Sequence, residues 1–253
     1  LTLRAGYGMG FRAPTLKEKY YNFDMVGIWI VEGNKDLKAE KSHNFNLSAE
    51  YVRGHYDFTA SVYYNLVHNK LSTAAPYFKS ATDKLPYLPY ANLDNYSVCG
   101  GEVGVQARWD NGLSARLTYA YTKEHLPKDK KGNTINNQYI PAREHALNVR
   151  ADYDHRFSKH YALSLGINGR TMSGTSNVEY KNYYDVAEGT IRVDYPAYTM
   201  WKLSATHTIG KAIKLTTALD NLFNYRPKYY YLNCPLTDGI NFQVGVSIDI
   251  DKF

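Results

Sequence analysis

Apolar and polar residues alternate with a period of two along ten stretches of this chain. In the sixth stretch, Leu147, Val149 and Ala151 occupy one phase, and Asn148 and Arg150 occupy the other. Successive side chains of a β-strand point to opposite faces of a sheet, so this period predicts strands with one apolar and one polar face. The predicted strands cover residues 1–11, 44–51, 56–66, 102–109, 113–121, 147–154, 163–170, 201–206, 213–220 and 240–251. The sequence therefore predicts an all-β fold.

The connections between these stretches alternate strictly between short turns and long loops. Short turns lie near residues 53–54, 110–112, 158–159 and 210–211, and long loops near residues 13–41, 72–90, 123–143, 172–195 and 226–239. Loops longer than about 15 residues are uncommon in compact soluble domains, whereas outer-membrane barrels combine tight turns at one end with long loops at the other. The pattern predicts a transmembrane antiparallel β-barrel whose long loops lie outside the cell.

Amino-acid composition further limits the classes of protein to which the chain could belong. The 253 residues include 25 tyrosines, and no stretch approaches the roughly 18 consecutive apolar residues of a spanning helix. A net charge of +6 permits nucleic-acid binding, but the basic residues are dispersed, and the one compact basic run, at 123–131, is typical of a solvated loop. We therefore expect no nucleic-acid partner. Cys99 and Cys234 are too few for a disulfide framework and lack metal-ligand spacing, so both are predicted to be free.

No catalytic motif is present in the sequence. It contains no nucleophile elbow, no glycine-rich phosphate loop and no His-Glu-x-x-His pair. We therefore predict that the chain is not an enzyme. Two alternatives remain open at this point, a ten-stranded outer-membrane protease with Asp and His at its mouth and a passive porin-like channel.

Candidate ligand-binding residues are the aromatic and polar side chains expected to project from the external loops. They are Arg12, Tyr20, Tyr21, Met25, Trp29, Tyr77, Tyr87, Tyr183 and Tyr184. Tyrosine offers a large, fairly rigid contact area with a polar tip, which suits planar or chelated ligands, although the aromatic girdle of a barrel also uses it. His68 and His125 lie nearest the exterior and are the histidine candidates for metal ligation.

Four segments resemble markers of the TonB-dependent outer-membrane receptors. GFRAPTLKEKY at 10–20 resembles their Phe-Arg-Ala-Pro box, and NKDL at 34–37, followed by KAEKS, resembles their Asn-Pro-x-Leu box. ALDNLFNY at 218–225 resembles their penultimate strand, and Phe253 resembles their terminal aromatic residue. The resemblance implies that residues 1–253 are one domain fragment, the C-terminal ten or so strands of a barrel of about 22 strands, without the plug. Because Leu1 already lies in an alternating stretch, we expect a piece of a longer exported precursor.

The resemblance also implies a function, which is active import of a scarce ligand across the outer membrane of a Gram-negative bacterium. The implied partners are outer-membrane lipid, the TonB–ExbB–ExbD complex acting through the absent N-terminal part, and a surface lipoprotein. No intrinsic cofactor is expected. The transported ligand is expected to be haem or another ferric chelate, with siderophores and then cobalamin as alternatives.

Haem receptors of this family carry an axial His between the two boxes, and this chain departs from that pattern. No His lies between Thr15 and Asn34, and Lys35 stands in place of the proline. Met25 lies near the expected position, and methionine can ligate haem iron. Our hypothesis is that Met25, Tyr20 or Tyr21 takes the axial role. The alternative is that Met25 only packs its loop against neighbouring isoleucines.

Overall fold

The computed structural model describes residues 1–74, 76–93, 96–125, 142–182, 188–228 and 234–250. Its elements are β1 (Thr2–Arg12), α1 (Leu16–Tyr20), β2 (Phe23–Met25), β3 (Trp29–Glu32), β4 (Glu40–Arg53), β5 (Tyr56–His68), β6 (Lys70–Thr73), β7 (Tyr87–Leu93), β8 (Tyr96–Arg108), β9 (Leu113–His125), β10 (His145–Ser158), β11 (Tyr161–Met172), β12 (Thr175–Tyr180), β13 (Thr190–Tyr195), β14 (Tyr198–Ile209), β15 (Ile213–Asp220) and β16 (Asn241–Ile248). Within this part of the chain, no helix has the length and apolar character needed to cross a membrane.

Ten strands form one antiparallel sheet in the order β1-β4-β5-β8-β9-β10-β11-β14-β15-β16. Each corresponds to one of the ten predicted stretches, so the all-β prediction is confirmed. The short turns also lie where they were predicted. Gly54, Gly112 and Gly210 adopt φ values of 58°, 89° and 62°, which glycine reaches without the steric cost of a Cβ. The long connections all leave from the opposite end of the sheet, which we call the outer end.

One face of the sheet is apolar and exposed. Strand register aligns apolar positions with one another, as in Leu47 with Val62 and Val103 with Tyr119. Val62 is 55% exposed and Val246 is 63% exposed, although both are large apolar residues in the middle of strands. A soluble sheet would bury this face, so its exposure is the property expected of a surface that meets lipid.

The other face of the sheet is polar along the same strands. Arg150 lies beside Arg116 and Asn168 in register, and Lys202 lies beside Asp220 with their charged groups 3.2 Å apart. Charged side chains on one face and apolar side chains on the other are the arrangement of a barrel wall, with lipid outside and water in the lumen.

Aromatic rings mark both ends of the apolar face. On β10, His145 stacks with Tyr119 at the outer end, and Tyr153 stacks with His155 toward the inner end. Tyr153 follows His145 by eight positions. At a rise of about 3.4 Å per residue and a tilt of about 40°, this separation is about 21 Å along the membrane normal. It is comparable to the apolar band of outer-membrane barrels, which is about 25 Å tall.

The long connections are more structured than the sequence predicted. The described residues of these connections form α1 and six additional strands, which pair into a four-stranded sheet of order β2-β3-β7-β6 and a hairpin of β12 with β13. The hydrophobic cluster of buried residues, Trp29, Val31 and Leu88, lies in the four-stranded sheet and not in the large one. Phe253 lies outside the described residues.

Candidate functional site

Two external loops fold together at the outer end. The first loop, between β1 and β4, supplies β2 and β3, and the second loop, between β5 and β8, supplies β6 and β7. The loops join where β3 pairs in parallel with β7, aligning Ile30 with Tyr87 and Val31 with Leu88. We call this four-stranded unit the loop sheet. Because its central pairing is between loops, neither loop can form it alone.

The start of the first loop is fixed by a capped helix turn. The Glu18 N–H donates to the Thr15 hydroxyl at 3.2 Å, and the Glu18 carboxylate accepts from the Thr15 N–H at 2.7 Å, which is a capping box. Arg12 donates to the same carboxylate at 3.0 Å. Burial raises the pKa of Glu18, but the bonds from Thr15 and Arg12 outweigh it and hold that pKa below its usual value. Arg12, a predicted ligand residue, therefore lies in the base of the loop as a structural partner of Glu18.

Asn34 connects the two sequence boxes to each other and to the second loop. Its backbone N–H donates to the Glu18 carbonyl at 2.8 Å, and its side-chain amide donates to the Tyr90 carbonyl at 3.1 Å. Its side-chain oxygen accepts from the Asp36 N–H at 2.9 Å. A second amide, on Asn92, exchanges two hydrogen bonds with the Lys38 backbone at 2.8 and 2.9 Å. The bonds of Asn34 join both ends of the first loop to each other and to the second loop, so the shape of the first loop depends on this asparagine.

Gly33 lies against the end of α1 so closely that a side chain does not fit. A Cβ at this position would lie 2.8–2.9 Å from backbone atoms of Lys19, Tyr20 and Tyr21. We expect Gly33→Ala to lower the local opening free energy of the loop by about 1–3 kcal/mol, the usual cost of overpacking. Hydrogen exchange should show faster exchange at the Asn34 N–H. Gly8→Ala, whose Cβ would meet nothing within 4 Å, is the control and should leave exchange unchanged. Equal changes in the exchange rate of the Asn34 N–H in the two variants would contradict this packing.

Two of the predicted ligand residues, Tyr77 and Tyr87, lie together with Glu32 and Lys79, which no sequence pattern indicated. Their rings lie 6.1 Å apart, and the Tyr77 hydroxyl donates to Glu32 at 2.8 Å. Lys79 donates to Glu32 at 2.6 Å and lies 3.9 Å from the Tyr87 ring centroid. The bond from Lys79 lowers the pKa of Glu32, and the bond to Glu32 raises the pKa of Tyr77. This cluster, Glu32, Tyr77, Lys79 and Tyr87, combines two aromatic rings with one ion pair, and we call it the Tyr–Lys patch.

The other predicted residues of the first loop differ in exposure. Tyr20 is 55% exposed, Tyr21 is 60% exposed and Met25 is 46% exposed, so all three project from the loop. Trp29 was expected to project from the loop, and this prediction is wrong. It lies on the same face of β3 as Val31 and packs in the buried cluster. Tyr183 and Tyr184 lie outside the described residues.

Met25 begins a strained turn between β2 and β3. Val26 and Gly27 have φ values of 55° and 72°, the pattern of the two central residues of a type I′ turn, where glycine, asparagine or aspartate is normally found. The Gly27 N–H donates to the Asp24 carboxylate at 2.7 Å, and Val26 is 90% exposed. The turn therefore presents Met25 and Val26 to solvent.

His68 and His125 end β5 and β9 at the outer end, and they are not brought into a metal site. His68 contacts the ring of His43 at 5.9 Å, and His125 aligns with Ser97. Across the described ranges, no group of three or more His, Cys, Asp or Glu residues could hold a metal ion. Cys99 and Cys234 are both free, as predicted.

Comparison with known proteins identifies the family. The model for the family described as TonB dependent receptor-like, beta-barrel, matches residues 1–222. The iron-regulated outer membrane virulence protein of Vibrio cholerae is 24% identical, over 98% of this chain and 37% of that protein. Hemoglobin-haptoglobin-binding protein A of Haemophilus influenzae is 30% identical, over 53% of this chain and 14% of that protein.

A solved structure shows the same fold. The FrpB iron transporter from Neisseria meningitidis matches with a TM-score of 0.68 and 15% identity, over 97% of this chain and 36% of that chain. The present chain thus spans little more than a third of the Vibrio cholerae and Neisseria meningitidis proteins, and 14% of the Haemophilus influenzae protein. The chain belongs to the TonB-dependent receptors of the Gram-negative outer membrane and forms part of their β-barrel.

Proposed function

We propose that residues 1–253 are the C-terminal portion of the barrel domain of a longer receptor, contributing about ten of about 22 strands. The whole receptor imports a scarce iron-bearing ligand, and haem is the first candidate. The TonB–ExbB–ExbD complex supplies energy through the receptor's N-terminal part, whose plug faces the polar wall of the barrel. A surface lipoprotein over the external loops is a further proposed partner.

The observation that carries this proposal is the loop sheet. It joins two external loops through a buried cluster and holds Tyr20, Tyr21, Met25 and the Tyr–Lys patch outside that cluster. A ligand site built from loops needs such support, because ordering free loops at the moment of binding would reduce affinity. The names of the relatives, one iron-regulated and one binding hemoglobin and haptoglobin, support an iron or haem ligand.

Met25 is the proposed haem ligand. A thioether donor can bind haem iron, and Met25 is exposed at a turn that projects from the loop sheet. We expect Met25→Ala in the full-length receptor to weaken haem binding about tenfold and to shift the Soret band, because loss of about 1.4 kcal/mol of ligation energy is tenfold in affinity. Haem titration followed by absorbance measures both quantities. Met9→Ala is the matched control, because Met9 lies on the apolar face of β1 and is 67% exposed there.

The outcomes of this titration separate two claims. If the wild-type receptor does not bind haem, the haem proposal is wrong. If wild type binds and Met25→Ala retains the same affinity and spectrum, then Met25 is not the ligand, and Tyr20→Phe and Tyr21→Phe become the next variants.

A ferric siderophore is the second candidate, and the Tyr–Lys patch favours it. Two tyrosine rings suit stacking with an aromatic chelate, and an anionic chelate would compete with the Glu32 carboxylate for Lys79. We expect Lys79→Gln to weaken binding of a ferric catecholate and to leave haem binding unchanged. Calorimetric titration of both ligands into the full-length receptor measures the difference, with Lys84→Gln from the same loop as the control. A loss of affinity that is equal for both ligands would count against this role of the patch.

A further inference from the structure

The turn between β2 and β3 contains a residue that is ill suited to its backbone conformation. Across the described residues, four positions other than glycine have a positive φ, and three of them are asparagine: Asn69, Asn221 and Asn224. The fourth is Val26, with φ of 55°. Asparagine tolerates this region because its short polar side chain can bond locally, whereas a β-branched residue is a genuine outlier there. Val26 therefore lowers the stability of the turn, relative to asparagine or glycine.

The hydrogen bonds that close the turn do not use the valine side chain. The Ile28 N–H donates to the Met25 carbonyl at 3.1 Å, and the Gly27 N–H donates to the Asp24 carboxylate at 2.7 Å. The side chain of Val26 is 90% exposed, so its packing offsets little of the backbone cost. Strained residues that the fold itself does not need are found mainly at ligand clamps and active sites.

Val26 extends an apolar surface that begins in the buried cluster of the loop sheet. Met25 lies directly opposite Trp29 in the β2–β3 register, so it shares the face of Trp29 and Val31. Ile28 packs against the same cluster. Met25 is 46% exposed, and Val26 follows it at the tip of the hairpin. The apolar surface thus runs outward from the cluster and meets solvent at these two residues.

The chemistry of this tip matches a ligand with an iron centre and a broad apolar face. The Met25 thioether is the proposed donor to haem iron, and a porphyrin presents its apolar face around that iron. A ligated haem would therefore lie against apolar neighbours of Met25. An isopropyl group that stands in water gains free energy when an apolar ligand covers it, whereas a charged, hydrated chelate offers no such gain.

We propose that Val26 is a ligand-contact residue, whose side chain packs against the apolar face of haem bound at Met25. This inference rests on the proposed haem function. Asparagine or glycine would relieve the strained backbone, but neither offers the branched apolar side chain that the porphyrin contacts. The turn keeps the less stable residue because ligand binding uses its side chain.

The first measurement tests whether the valine strains the turn. Val26→Asn has a side chain of similar size that is compatible with a positive φ. In the ligand-free, full-length receptor we expect hydrogen exchange at the Ile28 N–H to slow at least about fivefold in this variant, because relief of the left-handed backbone cost corresponds to a factor of that order. Val26→Ile, which is also β-branched, should exchange like wild type. Equal exchange in Val26→Asn and wild type would overturn the proposal.

The second measurement is haem titration of the same variants, followed by absorbance. We expect Val26→Asn to weaken haem binding about fivefold, although its turn is more stable, because about half of a valine side chain loses its apolar contact. Its Soret band should stay at the wild-type position, since Met25 is retained. Val26→Ile should bind as tightly as wild type. Val178→Asn is the matched control, because Val178 is also an exposed valine of an external loop, at 43%.

The outcomes distinguish this inference from the haem function on which it rests. If wild type binds haem and Val26→Asn binds it equally well, Val26 does not contact the ligand, and the haem function stands. A loss in Val178→Asn as large as that in Val26→Asn would also overturn the contact. If wild type does not bind haem, both the function and the contact are wrong.

Discussion

Val149→Arg is expected to lower the free energy of unfolding of the receptor by about 2–4 kcal/mol, the cost of a cationic side chain at the middle of the lipid-facing surface of a barrel. Val149 lies between the outer and inner aromatic rings of β10, in register with Leu117 and Gly169 on the apolar face. No carboxylate lies opposite it in either neighbouring strand, so the charge would have no partner. Denaturant unfolding in lipid vesicles measures the change.

Thr118→Arg is the matched control for this experiment. Threonine has the shape of valine, and Thr118 lies at a similar depth in the next strand, paired with Asn148 on the polar face. An arginine there enters the hydrated lumen, so we expect a change within about 1 kcal/mol. If the two substitutions lowered the free energy of unfolding equally, the apolar face would not meet lipid and the polar face would not line the lumen.

Asn221→Ala is expected to destabilise the outer end of β14 and β15 by about 2–4 kcal/mol. Asn221 is 3% exposed, and its amide donates to the Tyr225 carbonyl at 2.8 Å and to the Thr237 hydroxyl at 3.0 Å. Its side-chain oxygen accepts from the Tyr225 N–H at 2.8 Å. Alanine would remove these three hydrogen bonds and would have to adopt φ of 55°, which asparagine tolerates better.

The neighbouring Asn224 provides the comparison for Asn221. It has a similar φ of 52°, but its side chain accepts one long bond, 3.3 Å from the Ile240 N–H. Asn224→Ala should therefore lower the free energy of unfolding only by the cost of placing alanine at this positive φ, about 1–2 kcal/mol. Unfolding midpoints of the two variants measure the difference, and an Asn221→Ala effect no larger than that of Asn224→Ala would contradict the role given to the amide.

The barrel wall could be predicted because its determinants are local. A period of two is visible within ten residues, and a glycine such as Gly112, with φ of 89°, is recognisable in a turn sequence. Large apolar residues are usually buried, and here residues such as Val62 are exposed. Alternation along each strand still predicts which residues share the apolar face.

The loop sheet could not be predicted because its pairings are distant in sequence. Ile30 aligns with Tyr87 and Glu32 bonds to Tyr77, so no window of the chain contains both members. Trp29 was expected to project because it lies in a loop, but pairing between β3 and β7 turns its face inward. Glu32 and Lys79 gave no signal in the sequence, since an ion pair between two loops leaves no periodic pattern.

The most direct test of this account is the environment of adjacent residues on one strand. A spin label is attached at Leu203→Cys or Ser204→Cys in a full-length receptor whose native cysteines are replaced, and its collisions with oxygen and with a water-soluble nickel complex are measured in lipid vesicles. We predict that the label at 203 collides mainly with oxygen, which concentrates in lipid, and that the label at 204 collides mainly with the nickel complex. The reverse order, or no alternation between the two positions, would contradict a barrel wall with lipid on its apolar face.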